Sequence, residues 1–600
     1  MNGMNRRTAC VLALILLALS IAPAAADAAG TMTVRIIATS DLHGKFMPWD
    51  YALNEESGSG SMAQLASAIA MYRTEATLLV DAGDIIQDNA ADIFLAGGGV
   101  HPMILAMNAL GYDAVVTGNH EYNYGMDVLR KTVADLDAKV LTGNVTDEYG
   151  RPVADAAAVF EVGGARVAVI GMVTPNILRW DAVNLAGCTV SDPLAETRAC
   201  IDALEGRYDV LVGVFHMGLE NEYGVQNSGV TDILNACPEF DVMVSAHDHT
   251  LIPGTEVNGV LVVQNRHQAQ TMAVIDLTLE RDGTGWKVTD RTPQSVAVAG
   301  FAPDPAMSVM LAPYHAYALA DAEKVIGRLE GGPLAPANEI AGIPAALTGD
   351  TALIDLIQKA QLHFTGARVS SAAPSAADAN LEPGEIRKHD TSVIYRFTNT
   401  LYRLRMTGAQ LKKYMEWAAG CYNTWQPGDL TISFDPGTRL YNCDLFEGVC
   451  YEINVAAEPG SRVEHLTWPD GTPVADGDVF DIAVNNYRAN SHLLVPGEIY
   501  EEDDMPVLLD ADVHIEIGGL RELVGDYIAD VMDGVITPAC SGNWRITGND
   551  WDREMHETAV RLLAEGTLSA LTPEGGGTLA VRPVTVRDVL QAAGSETDAD

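Results

Sequence analysis

The chain has 600 residues, of which 48% are hydrophobic and 20% are charged, and its formal net charge is −44 at pH 7. This length exceeds one ordinary domain, so two domains plus accessory segments are expected. The acidic balance argues against binding long nucleic acid, which needs basic stripes, but it leaves small anionic substrates open because bound cations dominate their local field.

The first 26 residues have the pattern of a signal peptide. Arg6 and Arg7 precede an apolar run over 10–21, and Ala24 and Ala26 offer a small-x-small cleavage site. No later stretch supplies the ~18–20 apolar residues that a membrane span needs. We therefore expect an exported, periplasmic protein without a membrane span.

Residues 31–300 alternate short apolar runs with helical stretches. The runs predict buried strands that end in polar residues, and they read VRIIATS, TLLVDAGD, DAVVTGNH, ARVAVIGMV, DVLVGVFH, DVMVSAHDH and VLVVQN. Such alternation predicts an α/β domain of layered sheets and helices. Its site is expected at the carboxyl ends of the strands, where open α/β sheets bind their ligands.

The rest of the chain predicts a connection and a second domain. The pattern over 301–331 predicts one long helix that links the two domains. A second domain is expected over 332–572, with a helix at GAQLKKYMEWAAG and strands at YEINVAA and VFDIAVNNY. From Pro573 to residue 600 we expect a poorly ordered tail.

Five predicted strand ends of the first domain carry carboxylate, amide or imidazole side chains. They are Asp41 and His43 in SDLHG, Asp84 in DAGD, Asn119 and His120 in TGNHE, His216 in FHMG, and His247 and His249 in AHDH. Each motif alone is more often structural than functional, but packing does not explain five together. A mixed oxygen and nitrogen set suits Zn²⁺, Mn²⁺ or Fe, and it is large enough for two ions bridged by one carboxylate.

In this order, DLHG, GD, GNHE, H and AHDH resemble the metallophosphoesterases, and the fuller pattern resembles their 5′-nucleotidase family. The resemblance covers nearly the whole mature chain. It implies a four-layer αββα metallophosphoesterase domain, a C-terminal α/β nucleotide-recognition domain, and two divalent metal ions (Mn, Zn or Co). By position, it implies that one ion is held by Asp41, His43 and His249, the other by Asn119, His216 and His247, with Asp84 as the bridge.

The resemblance gives His120 a different role, which is to contact the reacting phosphate. In 5′-nucleotidases the motif usually reads GNHEFD, and its Asp orients this catalytic His, whereas here Asn123 stands in that place. Asn can orient the ring through a hydrogen bond but supplies no charge. Asn123 therefore counts against a 5′-nucleotidase.

Four segments are similar instead to the bacterial periplasmic 2′,3′-cyclic-nucleotide 2′-phosphodiesterases/3′-nucleotidases. They read DLHGKFMPWDY, GNHEYNYG, RLYNCDLFEGVCYEINV and AVNNYRA. This similarity implies that Tyr441 and Tyr487 sandwich the base, although by themselves both could be ordinary strand aromatics. After NNYRA that group usually continues with glycines, whereas this chain continues NSH, which leaves the base preference open.

The sequence therefore predicts a two-metal phosphoesterase acting on small nucleotides. It would open ribonucleoside 2′,3′-cyclic phosphates to 3′-nucleotides and then remove the 3′-phosphate to give nucleosides. The alternative is a 5′-nucleotidase or UDP-sugar hydrolase. A non-catalytic nucleotide-binding protein on the same scaffold is disfavoured, because every expected ligand and His120 are present.

Overall fold

The computed structural model describes residues 30–95, 98–182, 184–397, 399–515, 517–571, 579 and 581–593. The described chain forms two compact units, as predicted: unit 1 holds the residues up to 48 with 58–87 and 94–311, and unit 2 holds 49–57, 88–93 and the residues from 312 onward. The predicted signal peptide lies outside the described residues. None of the helices in the described chain combines the length and apolar character that crossing a bilayer demands.

Unit 1 contains two six-stranded sheets. In order across the first sheet, the strands are Gly285–Ala297, Thr271–Asp282, Thr31–Thr39, Thr77–Asp81, Ala114–Val116 and Lys139–Leu141. Across the second sheet they are Ile252–Val257, Val260–Gln264, Val242–Ser245, Val210–His216, Ala165–Val173 and Ala157–Val162. All seven apolar runs predicted as strands are strands here.

The helices of unit 1 connect these strands. They are Met62–Tyr72, Pro102–Leu110, Gly125–Asp135, Ile177–Trp180, Pro193–Leu204 and Val230–Ala236. Two further short strands, Val145–Thr146 and Thr189–Val190, pair with each other. The strands that precede the predicted ligands run parallel to their neighbours, so their carboxyl ends lie at one edge of each sheet.

The main core of unit 1 lies between the two sheets. Alternate side chains of both central strands are buried in it: Val34, Ile36, Ala38, Val210, Val212 and Val214. Because successive strand residues face opposite ways, Leu211 and Phe215 instead pack with Ile233 of an outer helix. On the other outer face, Arg35 donates to the carbonyl of Tyr72 at the end of a helix (2.7 Å). Helices thus cover both sheets, which is the expected four-layer αββα arrangement.

Unit 2 is also α/β. Its five-stranded sheet has the order Leu445–Glu447, Val369–Ala372, Val479–Asn485, Leu401–Thr407 and Val507–Asp510. Its smaller sheets are Gly384–Arg387 with Val325–Leu329 and Val535–Ile536, Val463–Thr467 with Cys450–Asn454 and Trp544–Thr547, and Trp49–Asp50 with Glu55–Glu56. Its helices are Ala352–Thr365, Asp390–Ile394, Gly408–Ala419, Asn486–Arg488, Leu520–Asp526, Arg553–Ala564 and Val586–Ala592.

The helix predicted over 301–331 is shorter in the structure. The helix spans Pro305–Ala322 and ends at Ala322. Val325–Leu329 is a strand that pairs with Gly384–Arg387. Gly327 allows this strand to pack closely against its surroundings, because a Cβ on it would lie 2.7 Å from Cγ2 of Ile528 and 2.9 Å from the carbonyl oxygen of Gly534. Sheet pairing overrides the helical pattern in this segment.

The tail predicted from Pro573 contains folded structure. Leu579, Val581 and Val584 are buried, and Thr585 begins helix Val586–Ala592 with a capping box. The prediction of a poorly ordered tail is therefore wrong for these residues. The helix has only seven residues, and its anchors are tertiary contacts that a local pattern does not show.

Candidate metal centre

The predicted ligands lie on tight turns at the carboxyl ends of the strands. Five of them have φ angles in the left-handed region: Asp41 (51°), His43 (43°), Asp84 (60°), His247 (85°) and His249 (58°). That region is uncommon for residues other than glycine, and each such residue costs on the order of 1–3 kcal/mol. Backbone strain of this kind clusters at functional sites.

Two glycines and a buried glutamate hold two of these turns together. A Cβ on Gly83 would lie 2.3 Å from the amide nitrogen of Gly118, and a Cβ on Gly118 would lie 2.1 Å from Oδ1 of Asp84. The Glu121 carboxylate accepts hydrogen bonds from the backbone N–H groups of Asp84 (2.9 Å), Ile85 (2.7 Å) and Gly118 (2.7 Å). Glu121, which the sequence analysis did not single out, therefore fixes the position of Asp84.

Asp41, His43 and His249 form the first ligand cluster. The Nε2 atoms of His43 and His249 are 3.0 Å apart, and Nε2 of His249 lies 3.7 Å from Oδ1 of Asp41. Burial lowers the pKa of His43 well below its usual range and that of His249 to about 4. The buried Oδ2 of Asp41 has no hydrogen-bond partner within the described chain, and a cation would satisfy it.

Asn119, His216 and His247 form the second cluster. Oδ1 of Asn119 lies 2.9 Å from Nε2 of His216 and 2.8 Å from Nδ1 of His247. The other nitrogen of each ring meets an oxygen: Nδ1 of His216 donates to the carbonyl of Ala82 (2.7 Å), and Nε2 of His247 lies 3.1 Å from Glu222. Such outer partners orient a histidine and leave its inner nitrogen available to an ion.

Asp84 lies between the two clusters. Its Oδ2 is 3.2 Å from Nε2 of His216 and 4.0 Å from Nε2 of His43, so it reaches one member of each. Burial opposes its ionisation, but the imidazoles of His216 and His120 hold the pKa of Asp84 well below its usual range. Burial likewise opposes the charged form of His216, yet the Asp84 carboxylate raises the pKa of that imidazole to about 10.

The donor set fits a pair of divalent ions. Two carboxylates, four imidazoles and one amide converge, which is the oxygen and nitrogen mixture that divalent transition metals accept. Ligand atoms within each of two groups, Asp41 with His43 and His249, and Asp84 with His216 and His247, lie within 4.8 Å of one another. The structure thus brings all seven predicted ligands together.

His120 lies beside this donor set and is supported from behind. Its Nε2 is 3.9 Å from Oδ2 of Asp84, its side chain is 30% exposed, and its Nδ1 is 2.6 Å from Oδ1 of Asn123. Nδ2 of Asn123 donates to both carboxylate oxygens of Asp181 (3.1 and 3.0 Å). Asn123 itself supplies no charge to the ring, but the buried carboxylate of Asp181 lies one side chain further away.

The short helix Ile177–Trp180 and its ends carry further support that sequence reasoning missed. Nδ2 of Asn176, before the helix, lies 3.4 Å from the Glu222 carboxylate that faces His247. The ring of Trp180 packs against the His247 ring, with centroids 5.2 Å apart. No motif marks this segment, and only the folded contacts reveal it.

Tyr441 and Tyr487 lie together in unit 2. Their ring centroids are 5.7 Å apart and their planes are at 90°, so they pack edge to face and leave no slot for a base between them. Tyr441 also packs against Phe397, whereas Tyr487 is 40% exposed. A sandwiched base therefore requires one ring to turn, and Tyr487 has the room to do so.

A buried ion pair joins the two tyrosine segments. Nε of Arg488 lies 2.6 Å from Oδ2 of Asp444, and both side chains are almost fully buried. Nη2 of Arg488 donates to the carbonyl of Tyr441 (2.7 Å) and to Oδ1 of Asn442 (3.0 Å). Because Arg488 directly follows Tyr487, it fixes the two segments relative to each other.

The NSH segment after NNYRA places the imidazole of His492 beside Tyr487. The ring of His492 lies 5.8 Å from that of Tyr487 and 4.9 Å from that of Trp417, and its Nδ1 lies 2.7 Å from the Glu498 carboxylate. This chain therefore has an imidazole side chain beside Tyr487, where the similar 2′,3′-cyclic-nucleotide 2′-phosphodiesterases/3′-nucleotidases usually have glycines.

Comparison with known proteins accounts for both units. Residues 34–251 match the family model described as calcineurin-like phosphoesterase, and 325–495 match 5′-nucleotidase, C-terminal domain. The chain is 28% identical to the trifunctional nucleotide phosphoesterase protein YfkN of Bacillus subtilis, over 87% of this chain but only 39% of that protein. It is 26% identical to a 2′,3′-cyclic-nucleotide 2′-phosphodiesterase/3′-nucleotidase of Yersinia enterocolitica (86% of this chain, 88% of that one).

Further similarities extend over most of the chain. A 2′,3′-cyclic-nucleotide 2′-phosphodiesterase/3′-nucleotidase of Salmonella typhimurium is 27% identical over 87% of this chain and 90% of its own length. Among solved structures, a 5′-nucleotidase precursor from Thermus thermophilus superposes with a TM-score of 0.53 at 19% identity, covering 86% of this chain and 99% of that one. At that identity the structural likeness shows the fold alone.

Proposed function

Because the chain belongs to the 5′-nucleotidase family of metallophosphoesterases, we propose that it hydrolyses ribonucleoside 2′,3′-cyclic phosphates to 3′-nucleotides and then to nucleosides. The observation that carries this proposal is the convergence of six other ligand side chains and His120 around Asp84. Two relatives named for this pair of activities support the choice of substrate.

The fold implies divalent metal ions, and the two clusters around Asp84 would hold them. Bound there, such ions would activate a water at neutral pH and neutralise the charge of a phosphate. Asp84 would reach both ions. His120 presents Nε2 on the Asp84 side, where its half-buried ring, when both nitrogens carry hydrogen, can donate a hydrogen bond to a phosphate or leaving oxygen. Asn123 keeps the opposite nitrogen of that ring engaged.

A 5′-nucleotidase or UDP-sugar hydrolase is the second candidate, and Asp181 favours it. Two features of the sequence count against this activity: Asn123 in place of a carboxylate near His120, and the YNCD segment. The structure bears on the first. Since Asp181 supplies a carboxylate through Asn123, that argument is weaker in the structure than in the sequence.

Comparing four substrates tests the proposal. We expect the highest kcat/KM for 2′,3′-cAMP and 3′-AMP, and lower values for 5′-AMP and UDP-glucose, with Mn²⁺, Zn²⁺ or Co²⁺ added. A preference for 5′-AMP or UDP-glucose would establish the second candidate. No turnover of any substrate with any of the ions would leave a non-catalytic nucleotide-binding protein.

Removing either tyrosine ring is expected to weaken nucleotide binding. Tyr441→Ala and Tyr487→Ala should raise KM for 2′,3′-cAMP by about 5–150-fold, which corresponds to ~1–3 kcal/mol of lost stacking. Bis(4-nitrophenyl) phosphate, which has no base, should be hydrolysed as before. Tyr149→Ala, which truncates a highly exposed ring in unit 1, is the control. If both substrates suffer equally, the two tyrosines are structural.

A further inference from the structure

Asp181 contacts the end of the Asn123 amide that points away from His120. Asn123 offers Oδ1 to the ring (2.6 Å) and Nδ2 to Asp181 (3.1 and 3.0 Å). Asp181 is buried, with 3% of its surface exposed, and it directly follows helix Ile177–Trp180. Nδ2 of Asn184 donates to the carbonyl of Asn123 (2.8 Å) and to Oδ1 of Asp181 (3.3 Å), which ties the same two residues together.

The donor and acceptor atoms of Asp181, Asn123 and His120 decide which end of the Asn123 amide faces the His120 ring. The two ends of an asparagine amide have nearly the same shape, so the residue alone does not decide which end faces the ring. An ionised carboxylate only accepts hydrogen bonds, so Asp181 requires Nδ2 on its side and Oδ1 on the side of His120. A carbonyl oxygen also only accepts, so Nδ1 of His120 must carry hydrogen.

The orientation of the Asn123 amide affects Nε2, the His120 nitrogen on the opposite side of the ring. With Nδ1 protonated and engaged, Nε2 is the nitrogen that lies 3.9 Å from Asp84 and faces the ligand clusters. If the amide were turned, Nδ2 would meet Nδ1, and the ring would have to change its tautomer or rotate. The partner of one ring nitrogen sets the state of the other.

We infer that Asp181 is a positioning residue for the phosphoester reaction: by holding Nδ2 of Asn123, it sets the orientation of His120 and keeps hydrogen on its Nδ1. Asp181 reaches the ring through the Asn123 amide, so it acts on His120 and not on the phosphate. The inference rests on the role of His120 in the proposed function. It does not depend on which nucleotide is the substrate.

The test uses bis(4-nitrophenyl) phosphate, so that nucleotide preference plays no part. Asp181→Ala should lower kcat by about 10–100-fold, by analogy with the loss of an outer partner of a metal-bound histidine, with KM and metal content unchanged. Asp181→Asn keeps the shape and tests the charge; its amide can pair with Asn123 either way, so kcat should fall about tenfold. Asp127→Asn, a change of an exposed carboxylate on the neighbouring helix Gly125–Asp135, is the matched control.

The double variant Asn123→Asp with Asp181→Asn exchanges the carboxylate and the amide between the two positions. The carboxylate introduced at position 123 would accept directly from Nδ1 of His120, and the amide introduced at position 181 would donate to that carboxylate. We expect kcat to return to within about threefold of the wild-type value. A purely structural role for Asp181 predicts no rescue, because the double variant lacks the native carboxylate at that position.

Three results would overturn the inference. They are an unchanged kcat in Asp181→Ala, a loss of kcat that follows loss of bound metal or of folded protein in both Asp181 variants, and a double variant no more active than Asp181→Asn. Failure of the proposed function looks different, because the wild-type protein would then hydrolyse none of the phosphoesters or would prefer other nucleotides.

Discussion

Replacing Asp84 by asparagine is expected to lower kcat by on the order of 10³–10⁴-fold, more than the loss of any other single ligand. Asp84 is the carboxylate whose Oδ2 lies between His216 and His43, one from each cluster. The neutral amide would weaken the binding of both ions, and metal ions supply several kcal/mol of transition-state stabilisation in such sites. Variants of Asp41 or His247 remove a ligand from one cluster only.

The measurement pairs elemental analysis with kcat on 2′,3′-cAMP and on the base-free diester. Wild-type protein should hold two divalent transition-metal ions per chain, lose activity with a chelator and regain it when the metal is restored. Asp248→Asn is the matched control, because Asp248 lies between two predicted ligands in sequence but bonds to Gln264 and the backbone of Thr250. An active wild-type enzyme with one ion or none would rule out the two-metal mechanism.

Replacing His120 by alanine is expected to lower kcat by about 10²–10⁴-fold, the range for a general acid or base. Unlike the Asp84 variant, it should keep both ions, because each of the two clusters has three ligands without this ring. The loss should appear with the base-free diester as well as with nucleotides, since the ring acts on the phosphate. KM should change little.

His101→Asn is the control for the His120 variant. His101 caps helix Pro102–Leu110 by accepting from the N–H of Met103, and asparagine can cap in its place. A His120→Ala protein with two ions and full turnover would remove this residue from the mechanism. Metal loss in the same variant would instead make His120 a ligand.

The sequence predicted the features that depend on local sequence pattern, namely the strands of unit 1 and the ligands at their ends. The strands were recognised because buried parallel strands are short apolar runs, and the ligands because each lies within a few residues of such a run. Asp181 and Arg488 escaped notice because they act on residues far away in the chain, with separations of 58 and 47 residues. Glu121 lies inside the TGNHE motif, but the four backbone N–H groups that donate to it belong to two turns that meet only in the folded chain.

The secondary-structure prediction was wrong where tertiary contacts decide the backbone conformation. The segment Val325–Leu329 extends a helical pattern, yet it pairs into a sheet with Gly384–Arg387. The packing of Tyr441 and Tyr487 is a second feature that depends on tertiary contacts. Sequence resemblance placed Tyr441 and Tyr487 on one base, but it carried no information on the edge-to-face packing that a base would have to open.

The left-handed backbone at Asp41, His43, Asp84, His247 and His249 has a consequence for how this chain can evolve. Glycine at any of these positions would relieve on the order of 1–3 kcal/mol of backbone strain. A gene copy selected for folding but not for turnover should therefore accept glycine at these five positions more readily than a copy selected for activity.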